Sequence, residues 1–241
     1  MTMEQIITRG TPPPRVHVRL PEEWNRSGGT DYWAVFGLES TVAAAASSAL
    51  LSDSGWITTS LVETAGSAGD FLSSSDPGVP PHLLTDATGD LIQSPPMFGD
   101  YANSLIAANI LGYTPTKLIV EFYAAFTVAS ANEHSVIGLV EAGGSVATGA
   151  DSMLHVKSNG TNFLLAGAVD SDTGALVDTA WHTWKIVVTN TGSITDAAEW
   201  FIDGTSQGTM DIQADLWPCS FGMHALTTNR PALAWAHIWY E

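Results

Sequence analysis

The chain reads as an all-β protein, an antiparallel two-sheet sandwich preceded by an extended N-terminal arm, and two features of the sequence lead there. From about residue 104 onward apolar residues recur at every second position, the period of a strand with one buried face. The same region is cut at short intervals by turn-forming pairs such as Gly143-Gly144, Asn159-Gly160 and Asp203-Gly204, which is how consecutive antiparallel strands are spaced.

At 241 residues the chain can bury roughly three quarters of its unfolded surface, and all-β domains of this length often form one unit. The expected organisation is an arm over residues 1–30 and a single sandwich over 31–241, with the weakest signals in 31–100. In the arm, Pro12-Pro13-Pro14 favours polyproline backbone without internal hydrogen bonds. The alternation Val16-His17-Val18-Arg19-Leu20 adds a short strand. Thr41 to Leu51 is alanine-rich enough for a short helix, Gly55 to Glu63 suits a strand, and 64–100 is dense in Gly, Ser, Asp and Pro and reads as loops.

The plainest strand comes next. Leu118, Val120, Phe122, Ala124, Phe126 and Val128 are all apolar, while Glu121 and Thr127 fall on the other face. The same pattern predicts strands over 134–142, 152–157, 161–168, 181–190, 197–203, 217–224 and 232–240, with Asp172-Thr173-Gly174 as a further turn. Cys219, at period 2 from Trp217 and Phe221, fits a small core position.

Three motifs then stand in order: Trp181-His182-Thr183-Trp184-Lys185-Ile186-Val187-Val188, Trp200-Phe201-Ile202-Asp203-Gly204, and the closing Ala234-Trp235-Ala236-His237-Ile238-Trp239. Trp184, Ile186 and Val188 share one face and Trp200 and Ile202 another, with Asp203-Gly204 supplying a positive-φ turn between neighbouring strands. Over roughly residues 100–241 this resembles the concanavalin-A-like and laminin-G-like family. The resemblance implies a two-sheet jelly roll that mostly binds glycans or proteins, sometimes with calcium, and that cleaves glycosides in certain branches. Those branches carry a Glu-x-Asp-x-x-Glu strand, which this sequence lacks. In the family register Ala236 and Ile238 point inward, so Trp235, His237 and Trp239 face outward, where the chain's own first hundred residues, another subunit or a sugar must cover them; these three are the candidate ligand-binding residues.

Eight basic and twenty-five acidic residues give a net charge of −17, which repels nucleic acid and anionic membrane alike. Arg9, Arg15, Arg19 and Arg26 concentrate positive charge in the arm. Pro12, Pro13, Pro14, Arg15 and Arg19 are therefore expected to lace onto a neighbouring acidic body, either another copy or another virion protein. Neither a secretory signal nor a run of about eighteen apolar residues is found. One cysteine, Cys219, allows no internal disulfide.

No catalytic residues are expected. Ala65-Gly66-Ser67-Ala68-Gly69 nearly matches a nucleophile elbow, but the helix such an elbow needs does not follow it. Asp170 and Asp172 are the candidate metal ligands, for calcium, although the same residues form ordinary turns. The seven histidines show no zinc spacing, and Asn25-Arg-Ser and Asn159-Gly-Thr match the glycosylation sequon by chance. The expected function is that of a non-enzymatic, decoration-type structural protein at the surface of a virion, with a lectin-like jelly roll. The alternative is a carbohydrate-binding module; a glycoside hydrolase is the least supported, and no cofactor other than calcium is indicated.

Overall fold

The computed structural model describes residues 31–35, 57–60, 70–72, 79–80, 82–85, 90–94, 116–126, 135–141, 154–167, 171–189, 195–213, 219–225 and 230–241. Among them lie fifteen strands and no helix. Five fall before residue 100: β1 (Asp31–Val35), β2 (Ile57–Ser60), β3 (Asp70–Leu72), β4 (His82–Leu84) and β5 (Asp90–Gln93). Next come β6 (Lys117–Phe126), β7 (Val136–Glu141), β8 (Leu154–Ser158), β9 (Asn162–Ala166) and β10 (Ser171–Leu176). The last five are β11 (His182–Thr189), β12 (Thr195–Ile202), β13 (Thr205–Gln213), β14 (Cys219–His224) and β15 (Pro231–Tyr240).

They form two antiparallel sheets. Sheet A runs β13-β12-β11-β6-β15-β4-β3, with β1 also paired to β15, and sheet B runs β10-β9-β8-β7-β14-β5-β2. The arm, the 41–51 helix, Trp217 and the Gly143-Gly144 turn lie outside the described residues, as does the near-elbow at 65–69. Two expectations are corrected. The stretch 64–100 contains β3, β4 and β5, and these join both sheets through cross-strand pairs such as Leu83 with Leu233 and Gln93 with Gly222. Asp172-Thr173-Gly174 lies inside β10, where Gly174 takes φ 81° at an irregularity in the pairing with β9.

Period 2 in the sequence becomes two faces in the sheet. Leu118, Val120, Phe122, Ala124 and Phe126 of β6 are all buried, in register with Val188, Ile186 and Trp184 of β11. Ile186 and Trp184 in turn pair with Trp200 and Ile202 of β12. The two sets that the motifs appeared to place on different faces therefore share the one inner face of sheet A. A bulge between Leu233 and Trp235 lets Leu233, Ala236, Ile238 and Tyr240 all reach the core from β15.

Aromatic contacts join the sheets. Phe122 of sheet A meets Phe221 of sheet B at 5.5 Å, and Phe126 and Trp184 meet Phe163 at 5.8 and 4.9 Å. The Trp184–Phe163 pair is edge to face, the arrangement that ring quadrupoles favour. Trp184 also donates its Nε1–H to the Ala124 carbonyl at 3.2 Å, so this large ring is buried without an unmet polar atom.

Turn chemistry sets the ends. Asp203 and Gly204 adopt φ 49° and 78°, the left-handed pair that a two-residue hairpin between right-twisted strands requires. Among the described residues no helix is long and apolar enough to cross a membrane.

Candidate functional site

In β15, Ala236, Ile238 and Tyr240 are buried, whereas Trp235, His237 and Trp239 alternate with them and are only half-buried. Period 2 puts these three on the outer face of sheet A. His237 and Trp239 stack, with ring centroids 4.1 Å apart and planes 22° from parallel.

Neighbouring strands extend the surface. Tyr123 is opposite Trp235 in the β6–β15 register, their centroids 6.3 Å apart at 25°. Trp181, the residue before β11, lies 5.4 Å from Tyr123 at 42°. His82 of β4 closes the row at 5.1 Å from Trp181. Its Nδ1 donates to the Pro80 carbonyl at 2.8 Å, and burial lowers its pKa although that carbonyl works the other way, so the ring is neutral at neutral pH.

The charges on this face are engaged. Lys185 Nζ lies 5.8 Å from the Trp239 ring centroid, within cation–π range. Glu121 lies between Lys185 and His237 in the strand register. The Trp239 Nε1–H donates to Glu241 Oε1 at 3.3 Å, and Lys117 Nζ is 3.7 Å from Glu241 Oε2.

Residues grouped from the sequence thus meet a row that strand reading missed. Tyr123, Trp181 and His82 come from three other segments, and only cross-strand register joins them to Trp235. One signal was present: Tyr123 is an aromatic at an odd position of a strand whose even positions form the core.

Asp172 is already occupied. Its carboxylate accepts hydrogen bonds from the Asn162 amide at 3.0 and 3.1 Å, the Asn159 amide at 3.2 Å and the Gly174 N–H at 2.9 Å. The Gly174 bond and then the Asn162 bond depress its pKa, and together these donors tie the 158–162 turn to β10. Asn159 is equally committed, its Oδ1 accepting from the N–H groups of Thr161 and Asn162. Asp170 lies outside the described residues, as do Pro12, Pro13, Pro14, Arg15 and Arg19. Among the described residues no cluster of three or more His, Cys, Asp or Glu could hold a metal ion.

The outer face of sheet B carries a second polar group that is already closed. His155 and Gln93 flank Gly138 and Gly222 along one register row, and both side chains are buried. Burial and then nearby Lys157 push the His155 pKa down to about 3, and its Nδ1 has no hydrogen-bond partner among the described residues.

No family model matches the chain, and no curated protein matches it in sequence. Solved structures do match. A carbohydrate esterase from a Shiga toxin-encoding bacteriophage aligns with a TM-score of 0.50 at 11% identity, over 84% of this chain and 97% of that one. An alginate lyase aligns with a TM-score of 0.52 at 8% identity, over 87% of this chain and 96% of the lyase. At these identities the similarity is one of fold, a β-sandwich consistent with the concanavalin-A-like architecture.

Proposed function

We propose that this chain is a non-catalytic, carbohydrate-binding sandwich of a viral particle, with its glycan site on the aromatic outer face of sheet A. The observation that carries this is the row of half-buried rings, Trp235, Tyr123 and Trp181, on one side of a sheet whose other side is solid core. A pyranose presents a face of C–H bonds, which suits the negative face of an aromatic ring, and its equatorial hydroxyls suit polar groups at the rim. Glu121 and Lys185 stand there. Rings held by strands need little ordering when a ligand arrives.

The fold supports the reading, because the two solved proteins named above act by name on carbohydrate and one comes from a bacteriophage. Those names also show that such a sandwich can carry catalysis. Against glycoside hydrolysis here, Glu121 and Glu199 stand on β6 and β12 with β11 between them. Glu199 also accepts a hydrogen bond from Ser206 at 2.7 Å.

Attachment to the particle falls to residues 1–30, with 31–241 folding as one unit. A basic, proline-rich segment on a chain of charge −17 has an electrostatic reason to lie on a neighbour.

A glycan array with the purified protein, with calcium and again with a chelator, tests the binding half. Specific binding in both buffers that disappears in Trp235→Ala is the expected result; binding unaffected by that change would move the site elsewhere. Deleting residues 1–30 should abolish self-association or particle docking while circular dichroism stays that of a β protein. Unchanged association would remove the arm from the account.

A further inference from the structure

Resting on the glycan-binding reading above, we infer that His82 selects the sugar at this face: its Nε2 accepts a hydrogen bond from one hydroxyl of a pyranose whose C–H face lies on Trp181. His82 belongs to β4, which lies beyond β15 from β6, and still its ring comes within 5.1 Å of Trp181. The strand register explains the reach. Trp181 precedes His182, which pairs with Ala124, so the outward residue of β6 beside it is Ala125, and Ala125 pairs with Ala232 of β15. Both alanines are buried. With only methyl groups standing on β6 and β15 there, the indole crosses both strands and meets β4 on the far side.

Two features leave the indole able to take a ligand. Trp181 is only half-buried. Its neighbours are also inclined to it, Tyr123 by 42° and His82 by 58°, so neither ring is laid parallel on its face.

The polar side of the site is set by the tautomer of His82. Its Nδ1–H donates to the Pro80 carbonyl at 2.8 Å, and burial keeps the ring neutral, so Nε2 carries a lone pair and no proton. That nitrogen is hydrogen-bonded to no other described residue, in a residue only 9% exposed. A ligand that covers such an acceptor without donating to it leaves a desolvated polar atom unmatched, which costs more than the bond itself gains. Epimeric sugars differ in where their hydroxyls point, and a fixed acceptor beside a fixed ring therefore tells them apart.

Titration of the full chain with the methyl pyranosides of glucose, galactose and mannose, and with forms of each in which one hydroxyl is replaced by fluorine, tests this, followed by the indole N–H resonances. Fluorine cannot donate a hydrogen bond. One sugar should bind best, and fluorine at one of its positions should weaken binding about tenfold. In His82→Phe, which keeps a ring against Trp181, that penalty should vanish and the sugars should bind equally. His82→Gln, which carries an oxygen near the place of Nε2, should restore the preference. Both variants lose the Pro80 bond, so a difference between them reports on Nε2 and not on the support of β4. If circular dichroism shows His82→Phe unfolded, His82→Leu takes its place with the same expectation. Tolerance of fluorine at every position, or the same penalty with and without His82, would overturn the inference while leaving glycan binding intact. Methyl glycosides that fail to bind beside a positive glycan array would overturn it too, because the site described holds a single pyranose. If the titrations and the array are both blank, the glycan-binding reading itself falls.

Discussion

His182 Nδ1 lies 2.7 Å from Asp203 Oδ2, and its Nε2 lies 2.9 Å from Asp178 Oδ1. With both ring nitrogens facing carboxylates, the imidazolium is the form that can donate to both. Burial works against that charge, yet the bonds to Asp203 and Asp178 outweigh it and raise the His182 pKa. Asp203 moves the opposite way: partial burial opposes its ionisation, but His182 and the Thr183 N–H, at 2.8 Å, bring its pKa down. The clip fastens the β12–β13 turn to the residues that lead into β11.

The pH dependence of stability follows from those directions. His182 contributes fully below its ordinary value of about 6.5, and the contribution is lost as pH rises through its raised folded value. Asp203 contributes above about 3.9, and that is lost as pH falls through its depressed folded value. Denaturant unfolding of wild type and His182→Gln should differ most between about pH 4 and 6.5 and converge toward pH 9. A gap of constant size across that range would show that the clip is not ionic.

His155 acts in the other direction. It is held neutral, with a pKa of about 3 caused mainly by burial, so protons favour the unfolded chain increasingly as pH falls below about 6.5. His155→Gln should flatten the acid limb of the stability profile, whatever it does at pH 8. Parallel acid limbs in the two proteins would mean that His155 is protonated in the fold.

Two glycines separate space from backbone strain. At Gly138, φ is 147° and an added Cβ would fall 2.7 Å from the His155 Cα and 2.8 Å from the Leu154 carbonyl oxygen. At Gly204, φ is 78° but the space is open. Gly204→Ala should cost about 1–2 kcal/mol, from left-handed backbone alone, and Gly138→Ala more than about 2 kcal/mol, because neighbouring backbone must also move. Equal costs in thermal or denaturant unfolding would show that the β7–β8 ladder yields easily.

The strands legible in the sequence are those with one buried face. β6 alternates because its even positions enter the core and its odd positions do not, and β11 is legible for the same reason. β13 was missed because Thr205, Ser206, Thr209 and Asp211 are exposed and Met210 is the one buried residue described in it. β10 was hidden by turn formers that serve to bulge an edge strand. β3, β4 and β5 are three or four residues long, too short to show a period. At the candidate site, Trp235, His237 and Trp239 were legible as one face of one strand. Tyr123, Trp181 and His82 were not, because a sequence states the order of side chains within a strand and leaves open which strand lies beside it.

The central claim is that the aromatic face of sheet A binds glycan, and the most direct measurement compares wild type with the Trp235→Ala/Tyr123→Ala double variant on one glycan array, with circular dichroism confirming that both are folded. Specific oligosaccharides retained by wild type and lost by the variant are the predicted result. The same glycans retained by both proteins would contradict it.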